Sequence, residues 1–389
     1  MSDKTVNGKE PTLVILQMTG ANDYLNTVVP YTNPLYYDNR PTVHIPPEQV
    51  LPINDEVGFN PQMQAIKRLY DEGKVAIIHG LGYPNPNYSH FRSMDIWYTC
   101  EPDKVSSEGW LGKVVRDLDP KGDNVLTALN FGRGMPRALS LSGVPVASVA
   151  QLDTYGVLST LSGATRPMVM ETFARMYAGT DGGDEVLRYM GQTGLDAQKG
   201  ADILRSAAEH YSSTVQYPGS NPIAASLQGV AQVKLAELGT RIFYTAHGSF
   251  DTHASQLPMH TKLWTEMDGA IDAFFQDMRA HEAADDMIML LWTEFGRRVK
   301  ENGSGTDHGA GGVAFVIGER VKGGMYGLYP SLRTEDLTQQ SEGMFGNLRY
   351  SCDFRGLYAT IIDRWLGLDA PSVVGGTFEQ LDFVERRTV

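Results

Sequence analysis

The sequence has few cysteines and no long apolar run, and each absence excludes a class of protein. Only Cys100 and Cys352 occur in 389 residues, too few for a disulfide framework or a four-cysteine zinc cluster. No stretch reaches the roughly 18 consecutive apolar residues that indicate a membrane span. The opening MSDKTVNGKE lacks the apolar core and cleavage site of a secretory signal. As the sequence stands, we expect a cytoplasmic protein without a membrane span, exported only if a signal segment has been removed.

Positive charge is also scarce. Lysine and arginine number 33 against 46 aspartates and glutamates, which gives a net charge of −13. This balance excludes non-specific attraction to nucleic acid or to anionic membranes. An anionic substrate must therefore be held locally, by a metal ion or by a few arginines. The 42% hydrophobic and 20% charged residues are typical of a globular protein with an ample core.

Short apolar runs alternate with helical patterns. The run Thr12–Met18 leads into the polar segment Thr19–Asp23, as a buried strand does at its end. A helix between Asn60 and Gly73 and a strand over Lys74–His79 follow, and this order predicts parallel pairing through a right-handed crossover. Alternation resumes near Arg241 and predicts an α/β fold with a largely parallel sheet. Its elements are strands at Ile242–Ala246, Met287–Trp292 and Val313–Ile317, a helix through Leu263–Met278 and a C-terminal helix at Leu357–Leu366.

The middle of the chain, residues 146–238, is rich in helical patterns and carries little recognisable chemistry. Its clearest helices are predicted at Ala201–Tyr211 and Ile223–Leu238. Because candidate ligands fall on both sides of this stretch and not within it, we interpret it as a helix-rich insertion or cap. The whole chain, 1–389, is then a single α/β domain, although its length also allows two.

A loop after the strand at Ile242–Ala246 contains Asp251 and His253. An aspartate and a histidine two residues apart can turn towards one cation, the carboxylate supplying charge and the imidazole a nitrogen. The triplet alone is common, and hydrogen bonding within the loop is the alternative interpretation. The residues of the next two loops support the metal interpretation.

Those two loops add Glu294, directly after the strand at Met287–Trp292, and the pair Asp307 and His308. A charged residue after an apolar strand is costly to bury without a partner, so a metal or an arginine should lie beside it. An ion pair between Glu294 and Arg297 or Arg298 is the alternative. Three successive loops thus predict a divalent-metal site.

Two further segments offer chemistry. Ser89 precedes His90, and a serine becomes a nucleophile when a base or a metal assists loss of its proton. The alternative is that Ser89 caps a helix and His90 makes an ordinary polar contact. Asp23, at the end of the first strand, suits a metal ligand on rigid scaffolding, and an Asx-turn is its alternative. His247 and His260 are weaker candidates for the site than these residues.

Taken together, these segments resemble the family named for domain of unknown function 1501, which is related to the alkaline phosphatase and sulfatase superfamily. The resemblance is carried by LVILQMTGANDYLNTVVPY, YSHFRSMDIWY, GSFDTHASQ, WTEFGRRVKENGSGTDHGAGG, VKGGMYG and DFRGLYATIIDRWLG. It implies an alkaline-phosphatase-like three-layer α/β/α sandwich with a largely parallel central sheet and a helical insertion. It also implies a metal-dependent hydrolase or transferase acting on a small anionic phosphate, phosphonate or sulfate ester.

The resemblance extends to individual residues. One or two divalent ions, Zn, Mn, Mg or Ca, are expected on the metal ligands Asp23, Asp251, His253, Glu294 and His308, with Asp307 beside them. The catalytic residues are expected to be Ser89, His90 and Arg297.

Two departures from the superfamily pattern limit the activity. Glu294-Phe295 stands where the superfamily has an adjacent Asp-His pair, which removes one nitrogen ligand. The segment Cys100-Glu101-Pro102-Asp103-Lys104 has lysine where the formylglycine motif of sulfatases has arginine, so we expect no sulfatase chemistry of that kind. Two other functions therefore stay open: a non-catalytic metal-binding or scaffold protein that keeps the fold, and a metal-dependent enzyme of another substrate class without a serine nucleophile.

Overall fold

A computed structural model describes residues 10–152, 155, 165–178, 191, 194, 200–201, 203–340 and 344–386. Its strands are β1 (Thr12–Met18), β2 (Val28–Val29), β3 (Leu51–Pro52), β4 (Gly58–Phe59), β5 (Val75–Gly82), β6 (Ala128–Phe131), β7 (Ala147–Val149), β8 (Ile242–His247), β9 (Met287–Trp292), β10 (Arg297–Glu301), β11 (Thr306–His308), β12 (Gly312–Ile317), β13 (Gly324–Tyr326), β14 (Thr338–Gln340), β15 (Met344–Asn347) and β16 (Cys352–Asp353).

The helices complete the set of regular elements. They are α1 (Pro34–Asn39), α2 (Gln64–Asp71), α3 (His90–Thr99), α4 (Trp110–Leu118), α5 (Thr165–Ala178), α6 (Pro222–Leu235), α7 (Gln256–Ala280), α8 (Phe354–Thr360) and α9 (Ala370–Val374), with 3-10 turns at Pro47–Gln49, Arg137–Leu139 and Thr334–Asp336 and a π-helix at Ile361–Trp365. Within the described ranges, no helix is both long and apolar enough to cross a membrane.

The central sheet has the strand order β13-β5-β12-β9-β1-β8-β6-β7, with β16 also beside β5. Strand β12 is antiparallel to β5 and to β9, and the remaining pairs are parallel. The predicted largely parallel sheet is therefore confirmed. The predicted pairing of the first two long strands is wrong: β1 and β5 run in the same direction, but β9 and β12 lie between them. These two strands come from late in the chain, so local order could not reveal them.

Helices cover both faces of the sheet. Successive side chains of a strand point to opposite faces, so each strand contributes to two hydrophobic cores. On β1, Val14 and Leu16 belong to one hydrophobic core and Leu13 and Ile15 to the other. The first core is closed by α2, α6 and α7, and the second by α3, α4, α8 and α9. Strands β1, β5, β6, β9 and β12 are accordingly buried along their length, as continuous apolar runs predict, and the three-layer α/β/α sandwich is confirmed.

Helix starts combine local and distant signals. Asn221 caps α6, since its side chain accepts from the Ile223 backbone N–H, and Pro222 follows in the first turn. Helix α2 is capped from outside: Asp268 of α7 accepts from the backbone N–H groups of Ala65 and Ile66, both at 2.9 Å. The predicted start at Asn60 therefore moves to Gln64.

The predicted insertion, 146–238, contains elements of different kinds. Strand β7 belongs to the central sheet, residues 203–210 are helical, and α6 packs on α7 and β8. Other parts of the stretch, including 156–164 and 179–190, lie outside the described residues, so its role as a cap stays a prediction.

Candidate metal centre

The carboxyl ends of β1, β8 and β9 meet at one edge of the sheet, because these neighbouring strands are parallel. Gly20, after β1, has φ +110°, and a Cβ added there would lie 2.5 Å from the Asp251 backbone nitrogen. Only glycine allows this approach of the two loops. The Gly20 N–H also donates to Glu294 Oε1 at 2.9 Å. The three loops are thus in direct contact.

Three potential ligand atoms form a small triangle at this edge. The Nε2 atoms of His90 and His308 are 3.0 Å apart, His308 Nε2 is 3.2 Å from Asp251 Oδ1, and His90 Nε2 is 3.4 Å from the same oxygen. With metal–ligand bonds of about 2.0–2.1 Å, ligand atoms of a tetrahedral or octahedral ion lie about 2.9–3.4 Å apart. The spacing fits one cation.

The second nitrogen of each imidazole is held by an oxygen. His90 Nδ1 is 2.7 Å from Glu294 Oε1, and His308 Nδ1 is 2.7 Å from the Tyr88 carbonyl. Histidine ligands of metals almost always donate their remaining N–H to a carboxylate or a carbonyl. With Nδ1–H donated in this way, both Nε2 lone pairs face the Asp251 carboxylate, an arrangement that a cation would stabilise.

The pKa values of the groups in the triangle are shifted from their usual values. The hydrogen bond that His90 donates to the Glu294 carboxylate raises the pKa of His90, although burial opposes it. Burial lowers the pKa of His308. Burial would raise the pKa of Asp251, but the hydrogen bond and charge of Arg297 outweigh it and the pKa is lowered. Asp251 is therefore ionised, and His308 favours the neutral form that binds metals.

Arg297, predicted to be catalytic, is buried and connects the loops. Its three nitrogens donate to the carbonyls of Gly20, Ala21, Phe250 and Thr306 and to Asp251 Oδ1, at 2.5 to 3.0 Å. A guanidinium with five fixed N–H donors suits this task. The structure thus places Arg297 where it positions Asp251.

Glu294 lies beside the triangle and supports it. Its buried carboxylate accepts from the Gly20 N–H and contacts His90, while Thr293 Oγ1 donates to Oε2 at 3.1 Å. Glu294 does not form the alternative ion pair with Arg297, because Arg297 pairs with Asp251. The partner that burial of Glu294 demanded is a histidine.

His253 and Asp307 lie at the margin. His253 Nδ1 is 2.9 Å from Asp251 Oδ1, and its ring centroid is 4.7 Å from that of His308. The Asp307 carboxylate accepts from Asn302 Nδ2 at 3.0 Å, within the β10–β11 hairpin. Only His253 of this pair contacts a member of the triangle among the described residues.

Asp23 is engaged in an ion pair away from the triangle. Its two oxygens receive Arg40 Nη1 at 2.5 Å and Nη2 at 3.0 Å, and both side chains are fully buried. Gln256 and the Leu25 N–H also donate to it. Sequence reasoning did not identify Arg40, although the argument applied to Glu294, that a buried carboxylate needs a partner, applies equally to Asp23.

Ser89 occupies the N-cap position of α3 without capping it. Its side chain makes no cap hydrogen bond, its backbone N–H donates to Asn87 Oδ1 at 2.9 Å, and the residue is exposed. It is the chain neighbour of His90, so the α3 N-terminus adjoins the triangle.

The nitrogen ligand missing at Phe295 has a counterpart. The Phe295 ring packs against the rings of His90 and His308, with centroid distances of 5.0 and 5.1 Å, and a nitrogen from another element, His90 Nε2, lies in the triangle. His90 was predicted to be catalytic rather than a ligand. The lower-ranked histidines bind elsewhere, His247 to Glu266 and His260 to Asn22, both at 2.9 Å.

Fold and site together define an α/β/α protein with a candidate cation centre at the carboxyl edge of its sheet. The chain belongs to the family described as "Protein of unknown function (DUF1501)", whose model matches residues 10–377. No curated protein matches the sequence.

Solved structures similar to this chain include members of the alkaline phosphatase and sulfatase superfamily. The PsFucS1 sulfatase from Pseudoalteromonas sp. is 13% identical, with 98% of this chain and 74% of that chain covered and a TM-score of 0.39. The phosphonate monoester hydrolase of Agrobacterium radiobacter is 12% identical, with 96% and 79% covered and a TM-score of 0.37. A protein in the alkaline phosphatase superfamily from Vibrio parahaemolyticus is 11% identical, with 82% and 62% covered and a TM-score of 0.35. At these TM-scores, function has to be argued from this chain's own residues.

Proposed function

We propose that this protein is a metal-dependent hydrolase or transferase of a small anionic ester, in which a phosphate, phosphonate or sulfate group is transferred. The observation that carries the proposal is the triangle of His90 Nε2, His308 Nε2 and Asp251 Oδ1, whose sides of 3.0, 3.2 and 3.4 Å fit one cation.

These three residues would hold a single divalent ion, and His253 lies beside them in contact with Asp251. A second ion is not expected, because Arg40 already neutralises Asp23 and Phe295 offers no ligand atom. Bound there, the cation would supply positive charge that offsets the negative charge of the transferred group and eases loss of a proton from a hydroxyl.

Ser89 is the candidate nucleophile. Its hydroxyl makes no cap hydrogen bond and it directly precedes His90. The ester's anionic group would lie at the start of α3, a helix of 10 residues. There the first backbone N–H groups have no partner within the helix, and the helix dipole favours negative charge.

The surrounding side chains have separate tasks. His253 is 44% exposed at its side chain and contacts Asp251, so it can hold a proton for the leaving group. Glu294 orients His90, and Arg297 orients Asp251. Neither of these two needs to touch the substrate.

Metal content tests the centre first. Protein purified without added metal should contain about one equivalent of a divalent ion, since three donors define one position. His90→Ala and His308→Ala should each lose it. His247→Ala should retain it, because His247 pairs with Glu266 elsewhere. A parent protein that binds no divalent ion would overturn the metal proposal.

A screen of phosphate monoesters, phosphate diesters, phosphonate esters and sulfate esters, each with several divalent ions, tests the chemistry. Ser89→Ala should keep fold and metal yet lower turnover of a responsive ester by at least about 10²-fold, since covalent catalysis is lost. Full activity in Ser89→Ala would favour the enzyme without a serine nucleophile. Bound metal without turnover of any ester would favour the non-catalytic metal-binding protein.

A further inference from the structure

A second cavity lies at the opposite edge of the sheet, by the amino ends of β1, β8 and β9. It has a volume of about 550 Å³, and its walls include Thr240 and Arg241 before β8, Asp286 before β9, Lys234 near the end of α6, and Glu10. A strand of six or seven residues separates this edge from the metal centre, a distance of about 20 Å. The cavity is therefore distinct from the candidate active site.

Three buried side-chain atoms, each from a residue that lines the cavity, have no hydrogen-bond partner within the described part of the chain. They are Thr240 Oγ1, Arg241 Nη2 and Asp286 Oδ1, and their residues are only 7%, 6% and 2% exposed. Buried polar atoms in folded proteins are nearly all paired. A hydroxyl, a guanidinium N–H and a carboxylate oxygen left unpaired around one cavity point to a ligand that pairs them.

The charges of these groups are already matched, which restricts the ligand. Arg241 Nη1 is 2.8 Å from Glu10 Oε2, and Lys234 Nζ contacts Asp286 Oδ2. A ligand carboxylate or phosphate approaching Arg241 would meet Glu10, and an ammonium approaching Asp286 would meet Lys234. What remains to be satisfied is hydrogen bonding rather than net charge.

A hydroxyl group satisfies both kinds of unpaired atom, since it donates one hydrogen bond and accepts others. Adjacent hydroxyls on one small molecule can donate to Asp286 Oδ1 and accept from Arg241 Nη2. The cavity volume is within the range of about 300–1,000 Å³ found for small-molecule sites.

We propose that this cavity binds a small neutral polyol, about the size of a monosaccharide, through Thr240, Arg241 and Asp286. The site joins the start of β1 to the end of α6 and to the segments that precede β8 and β9. Occupancy therefore stabilises the folded protein by mass action, and it does so without a ligand contact to the metal centre.

The test is calorimetric titration of the full chain with D-glucose, D-galactose, myo-inositol and glycerol, with glycine and inorganic phosphate as charged comparisons. At least one polyol should bind saturably at one site, and neither charged probe should bind. Thr240→Val should weaken that binding by at least about 10-fold, because it removes a hydroxyl that pairs with the ligand. Thr240→Ser keeps the hydroxyl and should retain binding.

Thr245→Val is the matched control. Thr245 Oγ1 is also buried without a partner among the described residues, but it lies within β8 and not on the cavity wall. Both valine variants should unfold at the parent's temperature or above, since each loses an unpaired buried hydroxyl. Only Thr240→Val should lose affinity. Absence of saturable binding for all four polyols, equal affinity in Thr240→Val and parent, or preferential binding of glycine or phosphate would each overturn the proposal.

Discussion

Asp23 and Asp251 follow neighbouring parallel strands, yet their surroundings differ. Asp23 is fully buried, and Arg40 contacts both of its oxygens. The Asp251 side chain is 45% exposed, and Arg297 contacts only its Oδ1. The same Oδ1 faces the two histidines, so Asp251 Oδ2 is left without a contact to Arg297, whereas Arg40 contacts both oxygens of Asp23. Whether a carboxylate at a strand end can bind a metal depends on its free lone pairs, and not on its position alone.

The largest expected effect separates the two aspartates by stability. Asp23→Ala leaves the Arg40 guanidinium buried without its counterion and should lower the free energy of unfolding by about 3–5 kcal/mol. Asp251→Ala should cost about 1 kcal/mol, because Arg297 retains its four carbonyl partners. Urea unfolding of both metal-free variants measures the difference. Equal losses would mean that the two ion pairs are equivalent after all.

The next effect concerns the support of His90. Glu294→Gln keeps the size of the side chain but weakens its hold on His90 Nδ1, and it should lower metal affinity by about 10–100-fold. Competition with a chelator of known affinity measures this loss. Glu301→Gln is a suitable control, since Glu301 contacts Thr42 and Val43 instead. An unchanged affinity in Glu294→Gln would show that His90 is oriented by other contacts.

A smaller effect follows from pH. Burial would raise the pKa of Asp23, but Arg40 lowers it below the ordinary value of 3.8. A lowered folded-state pKa contributes stability that is present above the unfolded pKa and is lost as pH falls through the folded one. The difference in unfolding free energy between parent and Asp23→Asn should thus be constant from neutral pH to about pH 5 and shrink below about pH 4. Urea titrations with a chelator present at each pH test this, and a difference that grows on acidification would contradict the assignment.

The smallest effect is expected at Ser89. A serine that caps a helix contributes about 1 kcal/mol, but the Ser89 side chain makes no cap hydrogen bond. Ser89→Ala should therefore change the free energy of unfolding by less than about 0.5 kcal/mol. Asp353→Ala provides the positive control, because Asp353 does cap α8 through the Arg355 N–H. A loss of the usual capping energy in Ser89→Ala would return Ser89 to a structural role.

The sequence predicted the strands that form the centre of the sheet because each is a short apolar run ending in polar residues. It did not predict that β12 would be antiparallel or that β9 and β12 would separate β1 from β5, since strand order depends on packing between distant segments. The three loops of the site were predicted because each one follows such an apolar run.

The contacts that each site residue makes were less predictable from the sequence. Asp251 and His308 were expected to be ligands and lie in the triangle. His90 and Arg297 were expected to be catalytic, and the structure places His90 Nε2 in the triangle and Arg297 against Asp251. These positions depend on contacts between individual side-chain atoms of residues that are 46 to 218 positions apart in the sequence. No local pattern encodes such contacts, although the burial cost of Glu294 correctly demanded a partner.

The contact between His90 and His308 spans 218 residues, and that between Gly20 and Glu294 spans 274. A ribosome therefore releases the loops after β1 and β8 long before the β10–β11 hairpin that brings Arg297 and His308. Contacts of such separation form late, after the entropy of closing long loops has been overcome. The candidate cation centre can be completed only when about four-fifths of the chain has been synthesised. A chain terminated before β10 would lack Arg297 and His308 and also β12, which lies between β5 and β9 in the central sheet, so the candidate centre and the sheet are completed together.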